Sequence, residues 1–313
     1  MLRQSDRHTR LPLRAFDPVS GLMPVGVDED GRIVSLCLRD QAGMVVGGSP
    51  GSGKTVGVRI VVLSLLLSEH ANLHVIDGKG GGDWTWTADQ AIDFADGATD
   101  EEAETVIAPL HEQMCERLRG MRPLYGNANW WNCDPNDRPP LEVLLIDECQ
   151  VLFDPRIAPA RQSRRDRGTS TALVSDLIRR GRAAGILTIL ITQKPTSDSI
   201  PTGIRDNCGV RICFRVLTAE ARRAVLGDAP AGSPDPTEIP ASRPGGAVIT
   251  GSDGRLIACR FANVSDEQAE LLLRSRMARR EARSGSRSPT GPRTCPVARQ
   301  PAPPSPYRFL IKG

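Results

Sequence analysis

Eight consecutive residues constrain this chain more than any other feature. Gly48-Ser49-Pro50-Gly51-Ser52-Gly53-Lys54-Thr55 fits the pattern G-x-x-x-x-G-K-[ST] at every position. The flanks fit as well. Met44-Val45-Val46 reads as a short buried strand before it, and Lys54 to Glu69 as a helix, apolar on most sides, after it. Strand, glycine loop and helix in that order make a cradle for nucleotide phosphates. Gly51 and Gly53 lack a Cβ and tolerate positive φ, so the backbone can wrap closely around phosphate oxygens. Loop N–H groups and the helix N-terminus point at the anion. Lys54 would neutralise the β- and γ-phosphates, and the Thr55 hydroxyl would face Mg²⁺. An accidental glycine-rich turn would not carry all these positions between the correct flanks.

A second pattern lies downstream. Val143-Leu144-Leu145-Ile146 is wholly apolar and is followed by Asp147-Glu148. Two carboxylates thus stand at the C-terminal end of a buried strand, where ligands bind in open α/β sheets. Asp147 would hold the Mg²⁺ shell, and Glu148 would polarise a water against the γ-phosphate. Alone, such a pair is often an ordinary strand end; after a phosphate loop in the same chain it points to ATP hydrolysis. Ile189-Leu190-Ile191-Thr192-Gln193 repeats the arrangement with a polar end. Gln193 could sense the γ-phosphate, orient the attacking water, or be a plain strand-end amide. Arg179-Arg180-Gly181-Arg182 could supply an arginine acting in trans on a neighbour's ATP. On pattern alone, a basic helix end complementing the helix dipole serves equally.

Around these patterns the chain alternates buried strands with helices, which predicts a mostly parallel sheet covered on both faces. A hairpin is expected over residues 21–42, with its turn at Asp28-Glu29-Asp30-Gly31, and another around Gly251-Ser252-Asp253-Gly254. Thr99-x-x-Glu102 and Ser265-x-x-Gln268 are capping boxes that open helices. Pro109 is placed to kink the first of these helices. Residues 122–140 read as a loop anchored by Trp130 and Trp131. Arg161–Arg167 reads as a polar, basic insertion, either a surface loop or an added nucleic-acid contact.

Composition matters mainly through its unevenness. Net charge is +3, yet residues 274–313 carry +9 and leave the preceding chain at −6. That stretch is rich in Ser, Pro and Arg and is expected to be disordered. It is either a solvated tail or a contact for nucleic acid or acidic lipid. The eight cysteines show no C-x-x-C spacing, so buried reduced thiols are expected. No apolar run approaches the roughly 20 residues of a membrane span, and the first residues lack a secretory apolar core. The expected location is the cytoplasm, with a membrane-associated partner protein able to recruit the chain to the membrane.

Further segments carry a family resemblance. Arg179–Gly185, Thr192-Gln193-Lys194-Pro195, Ile204–Asn207, Val210–Val216, Val75–Gly80 and Phe261–Glu267 resemble the FtsK/SpoIIIE DNA translocase motor. Leu22–Asp40 is similar to the lead-in of the Tra-type transfer proteins of actinomycete plasmids and integrative elements. The resemblance spans roughly residues 22–274. It implies a RecA-like P-loop NTPase that assembles as a hexameric ring on double-stranded DNA, with ATP between subunits. The sheet would carry an N-terminal β-hairpin and a C-terminal hairpin and helix. By position, Arg182 matches the family's arginine finger and Gln193 its polar sensor. The implied function is ATP-dependent translocation of double-stranded DNA, in the setting of plasmid or integrative-element transfer. Two alternatives stand: a protein-translocating ATPase of the type VII secretion kind, and a nucleotide-gated DNA-binding scaffold. Residues 1–20 are then a flexible arm, 21–274 the motor and 275–313 the basic tail. Gly81-Gly82-Asp83-Trp84-Thr85-Trp86 departs from the family's more apolar continuation.

Overall fold

In the computed structural model, the structure describes residues 14–97, 99–154 and 164–285. Ten strands form one sheet: β1 (Leu22–Val27), β2 (Ile33–Cys37), β3 (Gly43–Gly47), β4 (Ala71–Asp77), β5 (Asp93–Asp96), β6 (Leu141–Asp147), β7 (Ile186–Thr192), β8 (Val210–Phe214), β9 (Gly246–Thr250) and β10 (Leu256–Phe261). Seven helices accompany them: α1 (Lys54–Leu67), α2 (Asp100–Tyr125), α3 (Gln150–Phe153), α4 (Arg164–Ala184), α5 (Thr202–Arg205), α6 (Ala219–Leu226) and α7 (Asp266–Gly285). One compact unit ends at Arg274 and a second begins at Ser275.

The strand order is β2-β1-β10-β9-β8-β3-β7-β6-β4-β5. From β8 to β5 every pairing is parallel, and from β2 to β8 every pairing is antiparallel. The difference is written in the strands. β3, β6 and β7 are buried along their whole length, as strands covered on both faces must be. β1, β2 and β10 alternate between buried and accessible residues, as a sheet with one wet face requires.

The side-chain period of two sorts the core into two layers. Along β6, Val143 and Leu145 join the layer that holds α1, whereas Leu144 and Ile146 join the layer that holds α2 and α4. Each such side chain contributes roughly 1.5–3 kcal/mol on burial. α1 has eleven buried residues among its fourteen, so the helix that follows the glycine loop is fixed within the core.

Both capping boxes form. Thr99 Oγ1 accepts from the Glu102 N–H at 3.3 Å while the Thr99 N–H donates to the Glu102 carboxylate at 2.9 Å. Ser265 and Gln268 exchange the same pair at 3.2 and 3.1 Å. Trp130 and Trp131 are buried and anchor the loop before β6, with Arg138 stacked 3.5 Å from the Trp130 ring centre.

Several expectations are corrected. α2 runs on to Tyr125, past the loop boundary expected at 122. α4 starts at Arg164, so the second half of the expected insertion is helical; residues 161–163 lie outside the described residues. α7 continues to Gly285, into the stretch expected to be disordered; residues 286–313 lie outside the described residues, as do 1–13 of the arm. Short elements carrying little periodicity, β5, α3, α5 and α6, were not legible. The seven described cysteines are free, and burial lifts the thiols of Cys208 and Cys259 to about 12.

Candidate nucleotide site

β3 ends at Gly47 and releases the chain into the loop Gly48–Gly53 at the carboxyl edge of the parallel strands. The loop is braced from two sides. The Ser49 N–H donates to the Arg215 carbonyl at 2.9 Å, and the Gly245 N–H donates to the Ser52 carbonyl at 2.9 Å. Gly53 sits at φ 89°, and a Cβ there would lie 2.5 Å from the Gly245 nitrogen, so conformation and space both demand glycine. Gly51, at φ 75°, faces open space. Lys54 is buried at the start of α1, and Thr55 beside it is half-buried. The Ser52 hydroxyl is buried with no partner among the described residues. An unfilled donor inside a glycine cradle fits a phosphate oxygen.

The two carboxylates arrive on β6. Asp147 is 3% exposed, and its side chain is held in place. Oδ1 accepts from the Glu148 N–H at 2.8 Å, and Oδ2 accepts from the indole N–H of fully buried Trp84 at 2.7 Å. Burial raises the Asp147 pKa; the charge of Lys54 and the two N–H donors oppose it. Glu148 adopts φ 49°, in the left-handed region where a branched-out side chain is strained. Its Oε2 accepts from the Gln150 amide at 2.6 Å and from the Gln193 backbone N–H at 3.2 Å. Gln150 is held in turn, its Oε1 accepting from the Thr192 hydroxyl at 2.8 Å.

β7 lies between β3 and β6, so the glycine loop and the carboxylates are two strand spacings apart, roughly 10 Å. That gap accommodates a terminal phosphate and a water. Gln193 directly follows the intervening strand and therefore stands between them, half-buried. Asp77 ends β4 in register with Asp147. Its Oδ1 accepts from the Lys79 N–H at 2.9 Å, while its Oδ2 is buried with no partner among the described residues. A hard cation needs oxygen ligands and keeps several waters; Thr55 and Asp147 supply suitable oxygens, so this donor set fits Mg²⁺.

Arg182 is elsewhere. It precedes β7, whose Thr188 pairs with Gly43 at the start of β3. It therefore lies at the amino edge, about 20 Å of strand away from the glycine loop. There it is exposed and lines a cavity of about 530 Å³ with Arg179, Arg180, Asp40, Gln41 and Asn207. Arg179 and Arg180 both bind Asp176, at 2.6 and 2.8 Å; Arg182 has no ion pair among the described residues.

Sequence reasoning missed Trp84, Gln150, Thr192 and Asp77. Gln150 had a readable signal in its position two residues past Glu148. Trp84 had none beyond being a large apolar residue in a glycine-rich segment.

Residues 13–124 match the model of the FtsK/SpoIIIE family. That segment includes the glycine loop and ends in α2, before the carboxylate strand. Over 218 residues, 65% of its length, the chain is 27% identical to the DNA translocase FtsK of Lactococcus lactis subsp. cremoris, covering 28% of that protein. Over 244 residues it is 26% identical to FtsK of Pasteurella multocida, covering 24%. The chain thus spans about a quarter of the length of these FtsK relatives. Among solved structures, the pCW3 conjugation coupling protein TcpA with ATPγS superposes with TM-score 0.68 at 20% identity, over 87% of this chain and 75% of that one. The cytoplasmic domain of the Thermomonospora curvata type VII secretion ATPase EccC gives 0.64 at 22% identity, over 88% and 32%. The fold is that of P-loop ATPases of the FtsK/RecA-like type. Among the described residues, no helix is long and apolar enough to cross a membrane.

Proposed function

We propose that this chain is an ATP-hydrolysing motor that moves double-stranded DNA and works as a homo-oligomeric ring, in the setting of plasmid or integrative-element transfer. The observation that carries the reading is the oriented pair Asp147 and Glu148, two strands from the glycine loop and aimed at the same edge. Lys54 and the loop N–H groups bind the ATP phosphates. Thr55 and Asp147 would hold Mg²⁺, which when bound neutralises charge shared by the β- and γ-phosphates. Glu148, held by Gln150 and the Gln193 N–H, takes the proton from the attacking water. Gln193 lies where it can orient that water. Arg182 is too far from its own glycine loop to act in cis, which supports action on a neighbouring copy. DNA would be held through phosphate contacts, independent of sequence and sensitive to salt. The likeness to FtsK relatives supports DNA as the substrate, and the TcpA fold match supports the transfer setting. Cytoplasmic location with a membrane-associated partner and a hexameric ring belong to the same reading.

Steady-state ATP hydrolysis with and without linear duplex DNA, at low and moderate salt, beside Lys54→Ala, tests it. Strong stimulation by duplex of any sequence, lost in the variant, is the expected result. Robust hydrolysis indifferent to DNA but raised by a secreted-substrate peptide would replace it with the type VII reading.

A further inference from the structure

The end of α4, which carries Arg182, is gripped from two sides. The chain leaves the helix through Gly185, at φ 70°, where a Cβ would lie 2.4 Å from the Trp130 ring. The turn is therefore seated on that indole. From the opposite side Arg117 of α2 reaches in. Its Nη1 donates to the carbonyls of Pro140 at 2.9 Å, Ala184 at 3.2 Å and Gly185 at 3.3 Å. Its Nη2 donates to the Glu142 carboxylate. Glu142 also binds His74 Nε2 at 3.1 Å and the Asn72 amide at 3.2 Å, and His74 Nδ1 binds Asp93 at 2.7 Å. Burial lowers the Arg117 pKa, and the Glu142 carboxylate opposes that.

The last carbonyls of a helix have no partner within it, and a cation there complements the dipole. Water or a lysine could satisfy such a carbonyl. A guanidinium, with five donors in a fixed planar fork, joins several carbonyls and a buried carboxylate at once. The neighbouring arginines need no such device, because Asp176 clamps Arg179 and Arg180 and is itself held by His111 at 2.9 Å. Arg182 has no side-chain brace among the described residues, so its direction is set by the backbone that follows it.

We infer that Arg117 is a positioning residue for Arg182. By fastening the Ala184 and Gly185 carbonyls to Glu142 on the sheet, it fixes the direction in which Arg182 leaves α4 toward a second copy. This rests on the reading of Arg182 as acting in trans.

The test is complementation between variants of the full chain, with ATP, Mg²⁺ and duplex DNA. Arg117→Lys retains the charge opposite Glu142, and the double variant Arg117→Met with Glu142→Gln leaves no unpaired charge. Each should lose hydrolysis by roughly 10²-fold, the order expected for a displaced reacting group. Each should still bind a fluorescent ATP analogue through its own intact loop. Mixed with Lys54→Ala, which lacks a working loop but keeps Arg182, each should regain activity, of order one quarter of wild type under random mixing. Arg182→Ala mixed with Lys54→Ala is the reference. If that reference pair recovers and the Arg117 variants do not, Arg117 serves something other than Arg182 and the inference fails alone. Near-normal hydrolysis by either variant on its own, or loss of analogue binding, overturns it too. If the reference pair fails to recover, the in-trans reading fails and takes the inference with it.

Discussion

The two edges of the parallel strands are built on opposite rules. At the carboxyl edge, hydrogen-bonding capacity is left open inside the protein: the Ser52 hydroxyl and Asp77 Oδ2 are buried without partners, and Glu148 holds a left-handed backbone. At the amino edge, Arg117, Glu142, His74 and Asp93 satisfy one another in a closed network. An unfilled buried polar group costs about 1–3 kcal/mol, and a ligand that bonds to it recovers that cost. A saturated network stiffens the edge that receives none. Arg182 stands apart from that network, a cation with no ion pair among the described residues. On the proposed reading, one chain would hold two halves of a reaction centre facing opposite ways.

Arg182→Ala is the strongest way to break that comparison. It should lower DNA-stimulated turnover by about 10³-fold or more while nucleotide binding and melting temperature stay as they were. Retained turnover would make the amino edge purely structural. Glu148→Gln comes next. Hydrolysis should fall roughly 10²–10⁴-fold with ATP affinity preserved. A wild-type rate no higher than that of the variant would support a nucleotide-gated scaffold instead of a motor.

Smaller effects sharpen the contrast. Trp84→Phe removes the indole N–H that helps keep the Asp147 carboxyl ionised. The Mg²⁺ concentration needed for half-maximal binding of a fluorescent ATP analogue should rise about tenfold, as for other groups that orient a metal ligand. An unchanged Mg²⁺ titration would reduce Trp84 to packing. The mildest effect belongs to the closed edge. Burial disfavours the charged form of His74, but Glu142 and Asp93 outweigh it and raise its pKa. Between about 6.5 and that raised value the folded protein holds the extra proton. The stabilisation is thus complete below about pH 6.5 and fades as pH rises through the folded value. Urea midpoints at several pH values should show this slope, and His74→Gln should flatten it. A slope that survives the substitution would place its source outside the network.

How far the sequence disclosed all this depended on how local each signal was. The glycine loop, the carboxylate strand and both capping boxes are contiguous patterns whose chemistry sets the spacing, and each formed where its residues said. Arg164–Arg167 read as an insertion because a run of charged residues offers no apolar positions from which a helical period can be read. β5, four residues with two aspartates, has no period to find. Trp84 and Asp147 are 63 positions apart in the chain, and no pattern in either neighbourhood announces a contact made only by tertiary packing. Arg117 was illegible for the same reason: its partners are backbone carbonyls, which leave no trace in side-chain identity.

Among the described residues, β5 and β2 are the outer strands of the sheet. β5 is flanked by Asp93 and Asp96, charges that discourage another chain from pairing there. β2 begins with Ile33, a β-branched residue 55% exposed. Misassembly during expression or refolding should therefore start at β2, at the opposite end of the sheet from β5. A lysine at position 33 should improve the yield of well-behaved protein and leave its turnover untouched.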